Sequence, residues 1–283
     1  MKKIFSFAVA LVAAVSCVAL TAGCGGEKKV KVIEIALTSE QYAVAVQKGD
    51  TDLVAQINEV LAEIKEDGTF DEIYAKYDSD NSGEIAGFEI ATSTSGIANP
   101  LIMATSADFP PFENVQGEKF VGIDIEIALL IAEHLNKTLV ISNMDFDSII
   151  PAIQNGTADF AMAGLTVNDD RKSKVDFSDS YIDATQYMIV KADDTKYDEA
   201  KTAEELLALI NGQKGLRVGA QKGTTGYKFA KGDESFEYAG FSDAVVSPYN
   251  TGALAVQDLI NGNLDVVILD KLPALKIAAE FNK

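Results

Sequence analysis

Two stretches of this chain repeat one pattern. AIQNGTADFAMAG (152–164) and DLINGNLDVVILD (258–270) each run from a helix end through Asn-Gly and an Asp into a short apolar strand. One βαβ design used twice supports two similar lobes, each a sheet flanked by helices. In the first copy Ser148 stands where it can cap a helix, Ile149, Ile150 and Ile153 form its inner face, and Pro151 stays in the first turn, where its missing N–H costs little. Asn155-Gly156 stops that helix. The run from Phe160 to Gly164 is apolar throughout and bounded by turn residues, as a central strand of a parallel sheet covered on both faces would be. The loop after such a strand is where open α/β sheets bind ligands.

That loop carries Arg171. The chain has arginine only here and at 217, among 24 basic residues. A guanidinium offers a planar fork that grips a carboxylate at two points, which lysine cannot copy. The other reading is a surface arginine that answers Asp169 and Asp170. In the second lobe, LRVGAQKGTTG (216–226) opens a strand-to-helix turn whose exposed amides can hold an anion. The turn lacks the Gly-Lys-Ser/Thr ending of a nucleotide phosphate loop, which argues against an NTPase.

With 283 residues and 47% hydrophobic content, the chain is long enough for one large or two ordinary domains and can bury a proper core. A formal charge of −19 argues against nucleic acid or an anionic membrane surface as partner. The first residues read as a targeting segment: Lys2 and Lys3 precede an apolar run from Ile4 to Ala22, which ends in Leu20-Thr21-Ala22-Gly23-Cys24. This resembles a bacterial lipobox, with Thr21 in place of the usual leucine; an uncleaved membrane anchor is the alternative. Residues 1–23 are thus expected to be a lipoprotein signal peptide and 24–29 a tether, with Cys24 lipidated. Cys17 would leave with the signal, so no disulfide is expected.

From Lys31 the sequence gives a short strand, VIEIAL, a polar break at Thr38-Ser39-Glu40, and a second strand, QYAVAVQKG. Leu53, Val54, Ile57, Val60, Leu61 and Ile64 then recur at helical spacing behind a cap at Asp50 or Thr51. Thr69 and Glu72 form a capping-box pair for a second helix carrying Phe70, Ile73, Tyr74 and Tyr77. Residues 79–98, rich in Ser, Gly, Thr and Asn, read as a linker. Within it Asp78, Asp80, Ser82 and Glu89 also fit the spacing of a calcium loop, although ATSTSGIANP is a poor exiting helix. A helix from about Asp124 places Glu126, Glu133, His134 and Lys137 on one water-facing stripe, which gives the single histidine no ligating or catalytic role.

Taken together, ATSADFPPFE (104–113), VGIDIEIALLIAEHL (121–135), MDFDSIIPAIQNGTADFAMAGLTVNDDRK (144–172), VDFSDSY (175–181), RVGAQKGTTG (217–226) and LDVVILD (264–270) closely resemble the extracellular solute-binding proteins, family 3, of polar amino-acid ABC transporters. The resemblance implies an α/β, two-lobed class II periplasmic-binding-protein fold with a hinge. Residues 30–77 look like the end of the family's usual chain, yet they come first, so the order is that of a circular permutation with 79–98 as its linker. Lobe 1 is then 41–187, lobe 2 is 30–38 plus 192–283, and the paired hinge strands lie near 38–41 and 187–192.

The resemblance also implies roles. Arg171, with Thr166 and Thr225, would take a ligand's α-carboxylate; Asp270, with Thr166 and the Gly164 carbonyl, would take its α-ammonium. Phe109 and Phe146 would sandwich the side chain, with Phe112 left to lobe packing. Ser106, Gln221 and Leu269 would line the side-chain end, whose lack of charge leans towards a polar neutral amino acid. The implied protein is a lipid-anchored, monomeric, extracytoplasmic receptor that passes a polar amino acid to the membrane permease of an ABC importer, without cofactor, metal or catalysis. The same fold also serves as a prephenate or arogenate dehydratase, for which Asp108, Glu113 or Asp270 would be the acid, and as a sensory module.

Overall fold

The computed structural model describes residues 28–78, 85–234 and 237–283. The chain starts with β1 (Val30–Ile33) and β2 (Glu40–Gln47), then helices α1 (Thr51–Glu66) and α2 (Thr69–Asp78). Next come β3 (Pro100–Thr105), β4 (Asp108–Phe109), β5 (Glu113–Gln116), β6 (Lys119–Val121), α3 (Ile123–His134) and β7 (Thr138–Asn143). The repeat region follows as α4 (Ile149–Gln154), β8 (Phe160–Ala161), α5 (Asp169–Lys172) and β9 (Val175–Ala184). The last part holds β10 (Gln186–Lys191), α6 (Ala203–Asn211), β11 (Arg217–Gln221) and α7 (Thr225–Lys231). It closes with β12 (Val245–Tyr249), α8 (Gly252–Ile260), β13 (Val266–Asp270) and α9 (Lys271–Phe281).

Two five-stranded sheets organise these elements into a mixed α/β fold with two lobes. The first has the order β7-β3-β8-β2-β9, the second β1-β10-β13-β11-β12. The two echoing strands, β8 and β13, each take the middle place of a sheet. Each also has one parallel neighbour, β3 or β11, and one antiparallel neighbour, β2 or β10. The antiparallel neighbour is in both cases the strand next to a crossing between the sheets. The expectation of a purely parallel sheet is corrected accordingly, and the ladder of β8 covers Phe160–Ala161 rather than reaching Gly164.

Several local expectations meet a more specific cause. Asp50 caps α1, its side chain accepting from the Leu53 amide at 3.1 Å. α2 is entered through Asp67, which accepts from the Thr69 amide at 2.8 Å, so the Thr69–Glu72 capping box is not the device used. Ser148 is the N-cap of α4 but its hydroxyl caps nothing, because a single 3-10 turn (Phe146–Ser148) leads straight into the helix. The first strand begins at Val30 and stops at Ile33, short of the VIEIAL run. His134 is exposed on α3, 3.6 Å from Glu59.

The chain crosses between the sheets at 34–39 and at Thr185, where the Thr38 amide reaches Thr185 Oγ1 at 3.3 Å and Thr185 Oγ1 donates to the Thr38 carbonyl at 2.6 Å. Because Gln186 and Tyr187 already pair with β13, the second sheet begins before the expected limit of lobe 1 at 187. Residues 85–91 belong to the first lobe rather than to a free linker. Phe88 and Phe120 exchange backbone hydrogen bonds of 2.8 and 2.9 Å, and the Ile141 amide donates to the Ala91 carbonyl at 2.8 Å. At the far end, the Asn282 side chain accepts from the Lys29 and Val30 amides at 2.8 and 3.1 Å and donates to the Val30 carbonyl at 2.9 Å. The end of α9 is thereby stitched to the start of β1.

Cys24 with its signal, most of the 24–29 tether, and Asp80 and Ser82 of the calcium-like spacing lie outside the described residues. Among the described residues no helix is long and apolar enough to cross a membrane, and no cluster of His, Cys, Asp and Glu could hold a metal.

Candidate functional site

A small, narrow cavity lies where the two lobes face each other. From the first lobe it is lined by Ser106 after β3, Phe109 on β4, Phe146 on the 3-10 turn, and Gly164 and Thr166 after β8. The second lobe contributes Gln221 at the end of β11, Thr224 and Thr225 at the start of α7, and Asp270 at the end of β13. Strands that end together deliver these side chains together, at the carboxyl edge where such sheets leave a crevice. Eight of the nine expected site residues thus meet at one cavity. Thr224 was not expected there; it caps α7 through its hydroxyl. Leu269, expected beside Ser106 and Gln221, is buried in the second sheet and does not line the space.

Arg171 is the ninth, and it stands immediately behind the wall. Asn168 accepts from the Arg171 amide at 2.9 Å and so starts the short helix α5 that turns the side chain inward. One guanidinium nitrogen donates to the Thr166 carbonyl at 2.7 Å, the other to the Gly223 carbonyl of the second lobe at 3.3 Å. The guanidinium carbon sits 5.3 Å from the centre of the Phe146 ring. Only 5% of Arg171 is exposed, and burial pulls its pKa down to about 10 against the field of Glu40 and Asp270. It has no ion-pair partner among the described residues. It does not answer Asp170, which is paired with Lys174 at 2.8 Å.

Asp270 is nearly as deeply buried. Its Oδ1 accepts from Tyr42 Oη at 2.5 Å and from Gln186 Nε2 at 2.7 Å. Burial, then the neighbouring Glu40 carboxylate, push its pKa up to about 7. Glu40 accepts from Thr38 Oγ1 at 2.5 Å, from Thr166 Oγ1 at 2.8 Å and from Gln186 Nε2 at 3.1 Å. Among the described residues, Thr225 Oγ1, on the cavity wall, and Gln186 Oε1 have no hydrogen-bond partner. Buried polar atoms left unpaired are costly unless something else satisfies them.

Beneath the cavity lies a second layer of acids. Gly164 adopts φ +53, and a Cβ there would stand 2.7 Å from Phe109 Cε1, so glycine is required for the ring to close on the cavity. The Gly164 amide donates to Asp124 Oδ2 at 2.9 Å, and Tyr181 Oη donates to Asp124 Oδ1 at 2.8 Å. Burial raises the Asp124 pKa to about 6 and that of Glu113, which has no donor to either oxygen, well above the usual range. Glu113 lies behind the site rather than on its wall. Asp108 stands beside the cavity, its Oδ1 3.5 Å from Ser106 Oγ and 3.4 Å from Gln221 Nε2.

Glu40, Tyr42, Gln186 and Asp124 are the residues that sequence reasoning missed. Glu40 and Gln186 carry the one available signal, since each is a polar residue opening an otherwise apolar strand next to a crossing between lobes.

The model of one protein family, the bacterial extracellular solute-binding proteins, family 3, matches residues 3–81 and 101–270. The arginine-binding extracellular protein ArtP of Bacillus subtilis is 33% identical over 174 residues, 62% of this chain and 62% of that protein. A probable histidine-binding protein of Neisseria gonorrhoeae is 31% identical over 170 residues, 59% of this chain and 58% of that protein. The chain therefore covers less than two thirds of either relative. Among solved structures, the substrate binding protein of an amino acid ABC transporter is 35% identical with a TM-score of 0.55, over 65% of this chain and 75% of its own. An ancestral amino acid-binding protein, a precursor of cyclohexadienyl dehydratase, is 31% identical with a TM-score of 0.53, over 65% of this chain and 73% of its own.

Proposed function

The chain belongs to the bacterial extracellular solute-binding proteins, family 3, and from that premise we infer that it is a receptor that closes its two lobes over a free polar amino acid. The observation that carries this reading is Arg171. A buried guanidinium whose protein partners are two carbonyls and a ring leaves room for an anion, and an α-carboxylate has the matching planar geometry. Asp270 supplies the opposite charge on the other lobe, so a zwitterion can be held at both ends. Thr225 Oγ1 is a free hydroxyl for the carboxylate. Thr166 is committed through its hydroxyl to Glu40 and helps through its carbonyl, which orients Arg171. Phe109 and Phe146 form the apolar walls, and Ser106 and Gln221 the far end.

The receptor would act as a monomer, tethered to the outer face of the membrane through Cys24, and would pass its ligand to the permease of an ABC importer. Residues 34–39 and 185 would be the hinge. The chain order is that of a circular permutation, supported by the contact of Asn282 with Lys29 and Val30 and by matches that cover about 65% of the chain in the solved structures. No cofactor is required, and the acids near the cleft bind rather than catalyse. A ligand screen tests the reading: the purified protein is melted with each of the twenty amino acids, and hits are titrated by calorimetry. At least one amino acid should raise the melting temperature by several degrees; none doing so, or turnover of prephenate or arogenate, would replace the reading by another.

A further inference from the structure

We propose that Asp108 sets the specificity of the cleft, favouring an amino acid whose side chain ends in a cation. The proposal rests on the amino-acid reading above and names the ligand class within it. Asp108 lies two residues after Ser106 across a tight turn, in which the Asp108 amide donates to the Ser106 carbonyl at 2.7 Å and the two side chains come together. Its Oδ1 is within 3.5 Å of Ser106 Oγ and 3.4 Å of Gln221 Nε2, the two residues that form the far end of the cavity, one from each lobe. Both contacts are at the long limit of hydrogen bonding, so the carboxylate is placed but not satisfied.

The charges of the cleft then decide which ligand fits. Two buried carboxyl groups, Glu40 and Asp270, act on one buried cation, Arg171, and a third carboxyl group, Asp108, stands beside the cavity at Ser106 and Gln221. An amino acid's α-carboxylate answers Arg171 and its α-ammonium answers Asp270. Glu40 is already supplied by the hydroxyls of Thr38 and Thr166 and the amide of Gln186. Asp108 is left over, with no cation within 4.0 Å among the described residues. Lys222, on the facing loop, is engaged by Asp147 at 2.5 Å. Asp145 adds further negative potential near Asp108. A ligand that brings a second positive charge, as guanidinium, ammonium or imidazolium, completes this arrangement, while a neutral amide leaves a half-buried carboxylate unpaired. The flat faces of Phe109 and Phe146 suit the stem and head of such a side chain as well. The sequence pointed the other way because Ser106 and Gln221 are uncharged, and Asp108 reads there as one polar residue of a proline-rich loop.

Arginine and citrulline test the assignment, since they share length and shape and differ in charge. The wild-type protein should bind arginine at least about 10-fold more tightly than citrulline by calorimetry. In Asp108→Asn, arginine should weaken by about 10- to 100-fold while citrulline changes less than about 3-fold, so that the preference disappears. In Arg171→Lys both ligands should weaken together, because both use the α-carboxylate. Lysine paired with glutamine repeats the comparison on a second scaffold. Wild-type protein that binds citrulline or glutamine as tightly as arginine or lysine, or Asp108→Asn that keeps the preference, would overturn the role of Asp108 and leave the amino-acid reading standing. Absence of binding by all four ligands to the wild type would overturn the role of Asp108, and only absence of binding by all twenty amino acids would overturn the amino-acid reading as well.

Discussion

The phenol of Tyr42, on the first sheet, donates to Asp270 Oδ1, on the second, over 2.5 Å. This one bond joins the lobes at the carboxylate proposed to hold the ligand's ammonium. It also favours the charged form of Asp270 against the burial and the Glu40 field that oppose it. In Tyr42→Phe the Asp270 pKa should therefore rise further. Ligand affinity should fall at neutral pH and recover as the pH is raised, shifting the midpoint of the affinity profile upward. Calorimetry between pH 6 and pH 9 reads that midpoint. An unchanged profile would mean that Tyr42 packs against the site without tuning it.

The unliganded protein should lose stability as the pH rises. Asp108 and Asp124 have pKa values raised to about 6 and Asp270 to about 7, all above the ordinary value of 3.8, so the fold prefers their neutral forms. That contribution is fully present below pH 4, the unfolded value, and is lost as the pH climbs through the folded values. The loss should reach several kcal/mol between pH 4.5 and pH 7.5, visible as a falling urea midpoint. Added ligand should flatten the decline, since its ammonium pairs with ionised Asp270. A midpoint that rises over this range without ligand would contradict the assignment of these acids.

Arg171→Ala should cost on the order of 2–5 kcal/mol of ligand affinity, about 30-fold to several thousand-fold, by leaving a buried carboxylate unpaired. Arg171→Lys should fail almost as badly, because an ammonium cannot reproduce the fork that spans Thr166 and Gly223. Folding should barely suffer, since the arginine is a buried cation without an ion pair and its removal relieves desolvation. Calorimetry and urea melts on the same preparations separate the two effects. A lysine variant with near wild-type affinity would remove the carboxylate clamp.

Chain order is testable by cutting the protein elsewhere. A variant starting at residue 85, with 283 joined to 28 by a short linker and ending at 78, keeps every strand pairing described above, because Asn282 already touches Lys29 and Val30. It should fold to the same circular dichroism spectrum and bind the same ligand within about 3-fold. Asn282→Ala in the natural order should destabilise by about 1–3 kcal/mol, since it orphans two amides and a carbonyl at the edge of β1. A re-cut chain that fails to fold would show that the present order is needed.

Much of this architecture could be read from the chain, and the reason is local. Each echoing stretch pairs a helix stop at Asn-Gly with an apolar strand, and those two signals suffice to place β8 and β13 at the centre of a sheet and the site residues just beyond them. Residues whose role depends on the partner lobe were not legible. Tyr42 and Gln186 look like ordinary strand residues until the second sheet brings Asp270 beside them. Asp124 looks like a solvent-facing start to a helix, whereas its carboxylate is spent on Gly164 and Tyr181, which are 40 and 57 positions away. Strand lengths were overestimated at Ile33 and Ala161 because apolar character continues past the last ladder bond.

The point at which the polypeptide joins the body has a mechanical consequence. Lys28 and Lys29 enter β1, an edge strand of the second sheet, and among the described residues the backbone passes between the lobes at 34–39 and at Thr185. If the proposed lipid at Cys24 fastens the chain, the leash would hold the second lobe as the fixed jaw, and the first lobe would be the one that swings. Any membrane partner that senses whether the jaws are shut would meet a stationary surface around β1 and α9 and a travelling one around α1 to α3.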